Sequence, residues 1–267
     1  MRWQEDLLER GWNALYIENH DQPRSIDTFG DGSIESAKAL AVSYMLLRGT
    51  PFIYQGQEFG MTNFPFTDAK QLRADEIKKK YEMLLTELSA KLSVPQSADS
   101  TSSVGRVELT ELSANQALAE VTQNSREHSR TPMQWDNSKN AGFTSGQAWM
   151  EINPNFSVIN SQTNQELIEL YKKLIELRHQ EPAISEGSIK FHFKRHPQVL
   201  VYERAEFLII VNLADKKAHL DFTNIDSFTD SSAESSVINY QQVLGSSNQK
   251  FQEKMVLSAW EYQVYKK

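Results

Sequence analysis

The first sixty residues place two short apolar runs on either side of a helical pattern. Residues 12–17 form the first run, which an Asp-Gln-Pro turn sequence follows. Apolar residues then recur at helical spacing over about 34–48, with Ser33 as a suitable N-cap. The second run covers 51–55 and opens with a proline. Strand, helix and strand in this order predict one crossover unit with two parallel strands.

The middle of the chain mixes helical and irregular patterns. Helices are predicted near 70–92 and 108–123, and the serine-rich stretch near 93–105 between them is typical of a flexible insertion. Residues 124–160 show little periodicity yet contain four large aromatic residues, which indicates an ordered loop that packs against a site. These aromatic residues are Trp135, Phe143, Trp149 and Phe156. A clear amphipathic helix is predicted over about 167–177.

After Gly187 the pattern changes to short strand-like runs separated by polar gaps. The runs lie at 189–193, 199–203, 207–213, 218–222, 237–243 and 260–265. They predict a small antiparallel β domain at 185–267, which follows an α/β region at 1–184.

Composition narrows the choice of partners. The 267 residues have a net charge of -7, so the chain lacks the basic character expected of proteins that bind nucleic acid or anionic membranes. Cysteine is absent, which excludes disulfides and thiolate metal sites. No apolar run is long enough to span a bilayer, and the N-terminal residues lack the order of a signal peptide. We therefore expect a cytoplasmic protein with no nucleic-acid partner and no membrane partner.

The segment from Glu18 to Arg24 concentrates polar chemistry just after the first predicted strand. His20 and Asp21 stand side by side there, at the end of a strand where side chains commonly face a site. Each residue also has a purely structural interpretation: His20 as a residue that fixes the loop, and Asp21 as a turn-initiating residue before Gln-Pro.

Five segments, in order, resemble the signatures of one enzyme group. They are similar to those of the α-glucosidases of the α-amylase superfamily, glycoside hydrolase family thirteen, in the oligo-1,6-glucosidase and dextran glucosidase branch. One such motif is weak, whereas five in sequence are specific. The segments are Asn19–Arg24 (NHDQPR), Gly49–Gly56 (GTPFIYQG), Gly60–Asn63 (GMTN), Arg130–Asp136 (RTPMQWD) and Asn140–Thr144 (NAGFT).

The resemblance implies a fold of α/β plus all-β class. It implies that residues 1–184 form the C-terminal part of a (β/α)8 TIM barrel, namely strands seven and eight with their helices. The strand, helix and strand predicted from the pattern agree with this assignment. The antiparallel β domain would then follow the barrel.

The resemblance also implies roles for individual residues. Asp21 matches the catalytic carboxylate that stabilises the cationic transition state, and His20 matches a histidine that binds the cleaved glucose. Arg130 matches an arginine at the non-reducing end of the substrate; its structural alternative is an ion pair with a neighbouring carboxylate. Arg24 ranks below these three as a substrate-binding residue that orients Asp21 or lines the entrance.

Two positions depart from the pattern, and two functional residues have no match. Thr28 replaces an arginine that is common in the family, and Gln57 replaces a glutamate, which is expected to change the entrance more than the chemistry. The nucleophilic aspartate and the acid/base glutamate of a retaining mechanism match no residue here. We therefore expect the C-terminal half of an enzyme, inactive alone and without a cofactor, the family's calcium loop lying outside these residues.

The expected function is that of an exo-acting retaining α-glucosidase acting on α-1,6- or α-1,4-linked gluco-oligosaccharides. Within the same family, the alternatives are a sucrose isomerase and a trehalose-6-phosphate hydrolase, which share the Arg-Thr-Pro-Met-Gln-Trp signature. A different class, the non-catalytic barrel-like binding or assembly subunit, remains a further alternative. Retention of His20, Asp21 and Arg130 argues against that last alternative.

Overall fold

The computed structural model describes residues 2–7, 10–92, 103–223 and 240–267. The helices are α1 (Arg2–Asp6), α2 (Ser25–Thr28), α3 (Ile34–Met45), α4 (Asp75–Leu92), α5 (Ser103–Thr122), α6 (Gln165–Gln180) and α7 (Pro182–Ser185). The strands are β1 (Ala14–Leu15), β2 (Thr50–Pro51), β3 (Ile189–His192), β4 (Val199–Arg204), β5 (Phe207–Asn212), β6 (Ala218–Asp221), β7 (Gln241–Gly245), β8 (Lys254–Leu257) and β9 (Tyr262–Lys266).

The chain divides into two compact units. The first unit comprises Met1–Ile17, Ser25–Gly60 and Asn164–Lys267, and the second comprises Glu18–Arg24 and Met61–Thr163. The predicted antiparallel β region therefore belongs to the same unit as the first strand, helix and strand. The domain boundary predicted between 184 and 185 stays a prediction.

The predicted crossover unit is confirmed, although its strands are shorter than expected. β1 and β2 pair in parallel, with Ala14 opposite Thr50 and Leu15 opposite Pro51. Gly49 allows this close approach, since its φ is 137° and a Cβ there would lie 2.4 Å from the Asn13 carbonyl oxygen. The helix between the strands, α3, ends at Met45, earlier than the prediction.

The two faces of the β1–β2 pair differ sharply. Leu15 is buried in a core that it shares with α3, and Ile17 packs at the edge of that core. Trp12, Tyr16 and Phe52 are each about half exposed, at 49%, 52% and 55%. This aromatic face has the alternation of a half-covered strand pair.

The five-stranded sheet, in the order β3-β4-β5-β9-β7, is antiparallel throughout and confirms the predicted antiparallel β region. Its side chains alternate between two cores. Ile209 and Val211 of β5 belong to the core of α3 and α6, whereas Leu208 and Ile210 belong to a core shared with β6 and β8. Both faces of this sheet are therefore covered. β8 was absent from the prediction, and residues 237–239 of the predicted 237–243 strand lie outside the described residues.

A buried arginine binds the carboxyl end of α3. Arg204 is fully buried and donates hydrogen bonds to the carbonyls of Leu46 (3.3 Å), Gly187 (2.8 Å) and Ser188 (3.2 Å). Burial lowers the pKa of its guanidinium to about 10. Cations favour helix C-termini because carbonyls there lack partners.

The second unit contains the packed helices α4 and α5 and a long irregular segment. Both helices are as predicted in type, while residues 93–102 of the serine-rich stretch lie outside the described residues. The irregular segment is ordered by polar contacts. Gln134, for example, is fully buried and donates to the Asn155 side chain and to the Ile159 carbonyl. Trp135 and Trp149 are about half exposed, so they do not supply the packing that the prediction assigned to the aromatic residues.

Candidate functional site

The segment from Glu18 to Arg24 forms a loop that exposes His20, Asp21 and Gln22 to solvent. The Asn19 side-chain oxygen accepts a hydrogen bond from the backbone N–H of Asp21 at 2.8 Å, which is an Asx turn. The side chains of His20 and Asp21 are 67% and 54% exposed, and His20 Nε2 lies 3.3 Å from Asp21 Oδ2. The structure thus brings the predicted imidazole and carboxylate together.

Arg130 joins this pair from a distant part of the sequence. Its Nε donates to the His20 carbonyl at 2.7 Å, and its Nη2 donates to Asp21 Oδ1 at 2.7 Å. Both the main chain and the side chain of the loop therefore contact one guanidinium. This geometry matches the structural alternative given above, an arginine paired with a neighbouring carboxylate, and it also places three predicted site residues in one cluster.

A second arginine, which the sequence analysis missed, approaches the same carboxylate. Arg126 Nη1 lies 3.7 Å from Asp21 Oδ1, and its other terminal nitrogen is paired with Glu76. Arg126 and Arg130 open and close one short 3₁₀ helix, in which the Ser125 side chain caps the N-terminus. The four-residue spacing of Arg126 and Arg130 was the sequence feature that could have identified Arg126 as a site residue.

Arg24 requires a correction. Its side chain is fully buried, and its Nη1 donates to Glu18 Oε1 at 3.1 Å, with the Glu18 side chain only 1% exposed. A side chain buried in this way does not line an entrance, whereas the other role given to Arg24, orienting Asp21, stays a prediction. The structure instead places Arg24 beneath the loop.

Gln57 also requires a correction. It is 6% exposed, and its Nε2 donates to the hydroxyls of Tyr44 and Tyr171 at 3.0 and 2.8 Å. The sequence analysis expected this replacement to change an entrance. The structure shows that it lies in a buried polar cluster of the first unit instead. Thr28 is exposed.

The motifs at 130–136 and 140–144 lie in the second unit and order its irregular segment. Gly142 has a φ of 67°, and a Cβ there would lie 2.7 Å from the Asp136 carboxylate, so a side chain would collide with this motif residue. Hydrogen bonds from Ser138 lower the pKa of the Asp136 carboxyl. These residues fix the segment in which Arg130 lies.

The cluster has the chemistry to bind and orient hydroxyl groups. A carboxylate accepts hydrogen bonds from hydroxyls, and guanidinium and imidazole groups donate to hydroxyl oxygens. Within the described ranges, no group of three or more His, Cys, Asp or Glu side chains is arranged to hold a metal ion. In the same ranges, none of the helices is long and apolar enough to cross a bilayer.

Comparisons with known proteins agree with the motifs. The family model described as "Alpha amylase, catalytic domain" matches residues 1–187. The chain is 35% identical over 226 residues to an oligo-1,6-glucosidase from Parageobacillus thermoglucosidasius, covering 80% of this chain and 36% of that enzyme.

Solved structures show the same relationship. Trehalulose synthase MutB from Pseudomonas mesoacidophila MX-45 superposes with a TM-score of 0.77 at 30% identity, over 98% of this chain and 44% of that protein. A trehalose-6-phosphate hydrolase from Bacillus licheniformis superposes with a TM-score of 0.77 at 28% identity, over 99% of this chain and 45% of that protein. The chain spans less than half the length of each of these relatives.

Proposed function

The chain belongs to the α-amylase family, and from this membership we propose that it forms the C-terminal portion of an exo-acting retaining α-glucosidase. In this proposal β1 and β2 are the seventh and eighth strands of a (β/α)8 barrel. The substrate is a short gluco-oligosaccharide with α-1,6 or α-1,4 linkages. The name of the oligo-1,6-glucosidase relative supports this class of substrate.

One observation supports the proposal most strongly, namely the meeting of Asp21 and Arg130. These residues are 109 positions apart in the sequence, and the contact between them is 2.7 Å long. Both belong to motifs that resemble those of the family. An ion pair between exposed side chains contributes little to the stability of a fold. Stability alone therefore does not explain why these two residues meet.

The proposed roles follow from the chemistry of glycoside hydrolysis. Asp21 accepts hydrogen bonds from sugar hydroxyls and stabilises the positive charge that develops in an oxocarbenium-like transition state. His20 donates to hydroxyls of the glucose unit that is cleaved off. Arg130 closes the pocket at the non-reducing end, which restricts the enzyme to single terminal glucose units. No cofactor is needed for this chemistry.

A retaining mechanism needs a nucleophile and an acid/base carboxylate in addition to Asp21. In our proposal neither comes from residues 1–267, so these residues alone do not turn over substrate. The half-exposed aromatic face of Trp12, Tyr16 and Phe52 supports this view. In a closed barrel such a face would be covered by further strands.

Two related activities are alternatives within the same family. The superposition with trehalulose synthase favours isomerisation of sucrose, and the superposition with trehalose-6-phosphate hydrolase favours a phosphorylated substrate. A non-catalytic binding or assembly subunit is disfavoured, since His20, Asp21 and Arg130 form an intact cluster. Product analysis with isomaltose, sucrose and trehalose 6-phosphate distinguishes these activities.

The experiment joins this chain to the N-terminal barrel segment of the Parageobacillus thermoglucosidasius oligo-1,6-glucosidase and measures hydrolysis of nitrophenyl α-glucoside. Asp21→Asn is expected to lower kcat on the order of 10²- to 10³-fold, the usual effect of removing one transition-state-stabilising group. Asp221→Asn is the matched control, because Asp221 has a side chain of nearly the same exposure, 53% against 54%, in β6.

Equal activity of the two variants, with both folded by circular dichroism, would contradict the role of Asp21. If the joined protein does not fold, binding of deoxynojirimycin to the 267-residue chain is measured by NMR at His20. The proposal predicts a shift of the His20 signals that Asp21→Asn abolishes and Asp221→Asn preserves. Identical shifts in both variants would count against it.

A further inference from the structure

A buried ion pair closes the loop that presents His20 and Asp21. Glu18 and Arg24 stand at the two ends of this loop, and their side chains are 1% and 0% exposed with 3.1 Å between them. The backbone N–H of Arg24 also donates to the Asn63 side-chain oxygen at 2.8 Å. The loop is therefore held at its base, while its tip remains open to solvent.

The same guanidinium contacts the segment that contains the partner of Asp21. Arg24 Nη2 donates to the Ser129 carbonyl at 3.4 Å, and Ser129 is the residue immediately before Arg130. Ser129 is itself fully buried. One guanidinium thus contacts the Glu18 side chain at the base of the loop and the backbone of the segment that contains Arg130.

Burial of this pair is costly unless the geometry is good. Removing one partner of a buried ion pair leaves an uncompensated charge, whereas replacing both partners by apolar residues is often neutral for stability. The effect of the pair on stability can therefore be measured separately from its effect on the position of the loop. A variant that removes both charges keeps the fold but loses the contact between Arg24 and the Ser129 carbonyl.

We propose that Arg24 is a positioning residue, which sets the separation of Asp21 and Arg130 through its contacts with Glu18 and Ser129. Its effect on catalysis rests on the proposed glucosidase function, but its effect on geometry does not. Lysine cannot replace it, because a single ammonium group lacks the planar fork that reaches two acceptors in fixed directions.

The first test measures geometry in the 267-residue chain without any substrate. The Nε–H of Arg130, which donates to the His20 carbonyl at 2.7 Å, gives an NMR signal that is assigned by its loss in Arg130→Lys. We expect Arg24→Lys, and Glu18→Met combined with Arg24→Met, to shift or broaden this signal. Arg204→Lys is the matched control, since Arg204 is equally buried but bonds to other carbonyls.

Thermal unfolding is recorded for every variant, so that lost stability and lost geometry are read separately. Arg24→Lys and Arg204→Lys are both expected to lower Tm, but only Arg24→Lys changes the Arg130 signal. The double variant is expected to restore much of the Tm without restoring the signal. An unchanged Arg130 signal in both the Arg24→Lys protein and the double variant would overturn the proposal.

The second test measures kcat in the joined enzyme. A misplaced catalytic group costs on the order of 10²-fold, so Arg24→Lys is expected to lower kcat by about this factor while Arg204→Lys stays within about twofold. A kcat equally affected in both variants would assign Arg24 a purely structural role. If the joined enzyme has no activity but the NMR signal responds as expected, the glucosidase proposal fails and the positioning inference stands.

Discussion

Two of the three sheets described in the first unit are covered to very different degrees. The five-stranded antiparallel sheet has a core on each face, with α3 and α6 on one side and β6 and β8 on the other. The parallel pair of β1 and β2 has a core on one face only, and its other face is aromatic and half exposed. The five-stranded sheet is therefore stabilised by packing on both faces, whereas the β1–β2 pair is stabilised on one face only, and in our proposal further barrel strands cover the other.

The largest expected effect comes from removing a side chain from the covered sheet. Phe207 in β5 is fully buried, and Phe207→Ala should lower the free energy of unfolding by about 3 to 5 kcal/mol. The same change at Phe52, which is 55% exposed, should stay within about 0.5 kcal/mol. Urea denaturation of the 267-residue chain measures both. Equal losses would show that the β1–β2 face is packed after all.

Alkaline pH provides the second test, since buried tyrosines belong to the covered sheet. Burial, with a contribution from Glu166, raises the pKa of Tyr262 to about 12 from an ordinary value of 10.0. Between these values the unfolded chain releases a proton that the folded chain keeps, so stability falls as pH rises through this window. Tyr262 alone should lower the free energy of unfolding by about 2 kcal/mol by pH 12.

The measurement compares denaturant unfolding of the wild type and Tyr262→Phe at pH values from neutral to 12. The variant should show a shallower loss of stability above pH 10. Parallel pH dependences would indicate that the Tyr262 hydroxyl titrates normally in the folded protein.

A smaller effect is expected at the start of α3, the helix that packs against the five-stranded sheet. The Ser33 hydroxyl accepts the backbone N–H of Ser36 at 3.1 Å as an N-cap. Ser33→Ala should lower the free energy of unfolding by about 1 kcal/mol, and Ser33→Asp should retain most of it. Equal losses in the two variants would mean that the cap contact is not what stabilises this end of the helix.

The smallest change in stability, but a clear change in surface properties, is expected on the aromatic face of Trp12, Tyr16 and Phe52. Tyr16→Ser combined with Phe52→Ser should reduce binding of a hydrophobic dye and self-association of the 267-residue chain. Trp149→Ser is the control, because Trp149 is equally exposed, at 57%, in the second unit. A wild-type chain that is monomeric and binds no dye would contradict the prediction.

Local signals predicted the four long helices, α3 to α6, and most strands, but not the short helices α1, α2 and α7. Helix α3 has an N-cap serine and regular apolar spacing, so its start at Ile34 followed from the sequence. β8 was missed because a strand of four residues, Lys254–Leu257, is defined by its pairing with β6 and not by its own pattern. The strands at 12–17 and 51–55 were predicted too long, since their ladder in this structure covers only two residues each.

The sequence identified the residues of the candidate site but not how deeply each of them is buried. His20, Asp21 and Arg130 lie together, while their roles in binding and catalysis stay predictions. For Arg24 the sequence left open whether it orients Asp21 or lines the entrance, and it did not predict that the side chain is fully buried. Its burial depends on Glu18, six positions away, and on the Ser129 carbonyl, 105 positions away. Contacts at that sequence separation leave no local pattern.

The most direct test of the central claim uses three samples and one assay. The 267-residue chain, the separately produced N-terminal barrel segment of the oligo-1,6-glucosidase, and their mixture are each given nitrophenyl α-glucoside. We predict turnover only in the mixture, and its loss when Asp21→Asn is used. Turnover by the 267-residue chain alone, abolished by Asp21→Asn, would contradict the claim that Asp21 acts with carboxylates supplied from outside these residues.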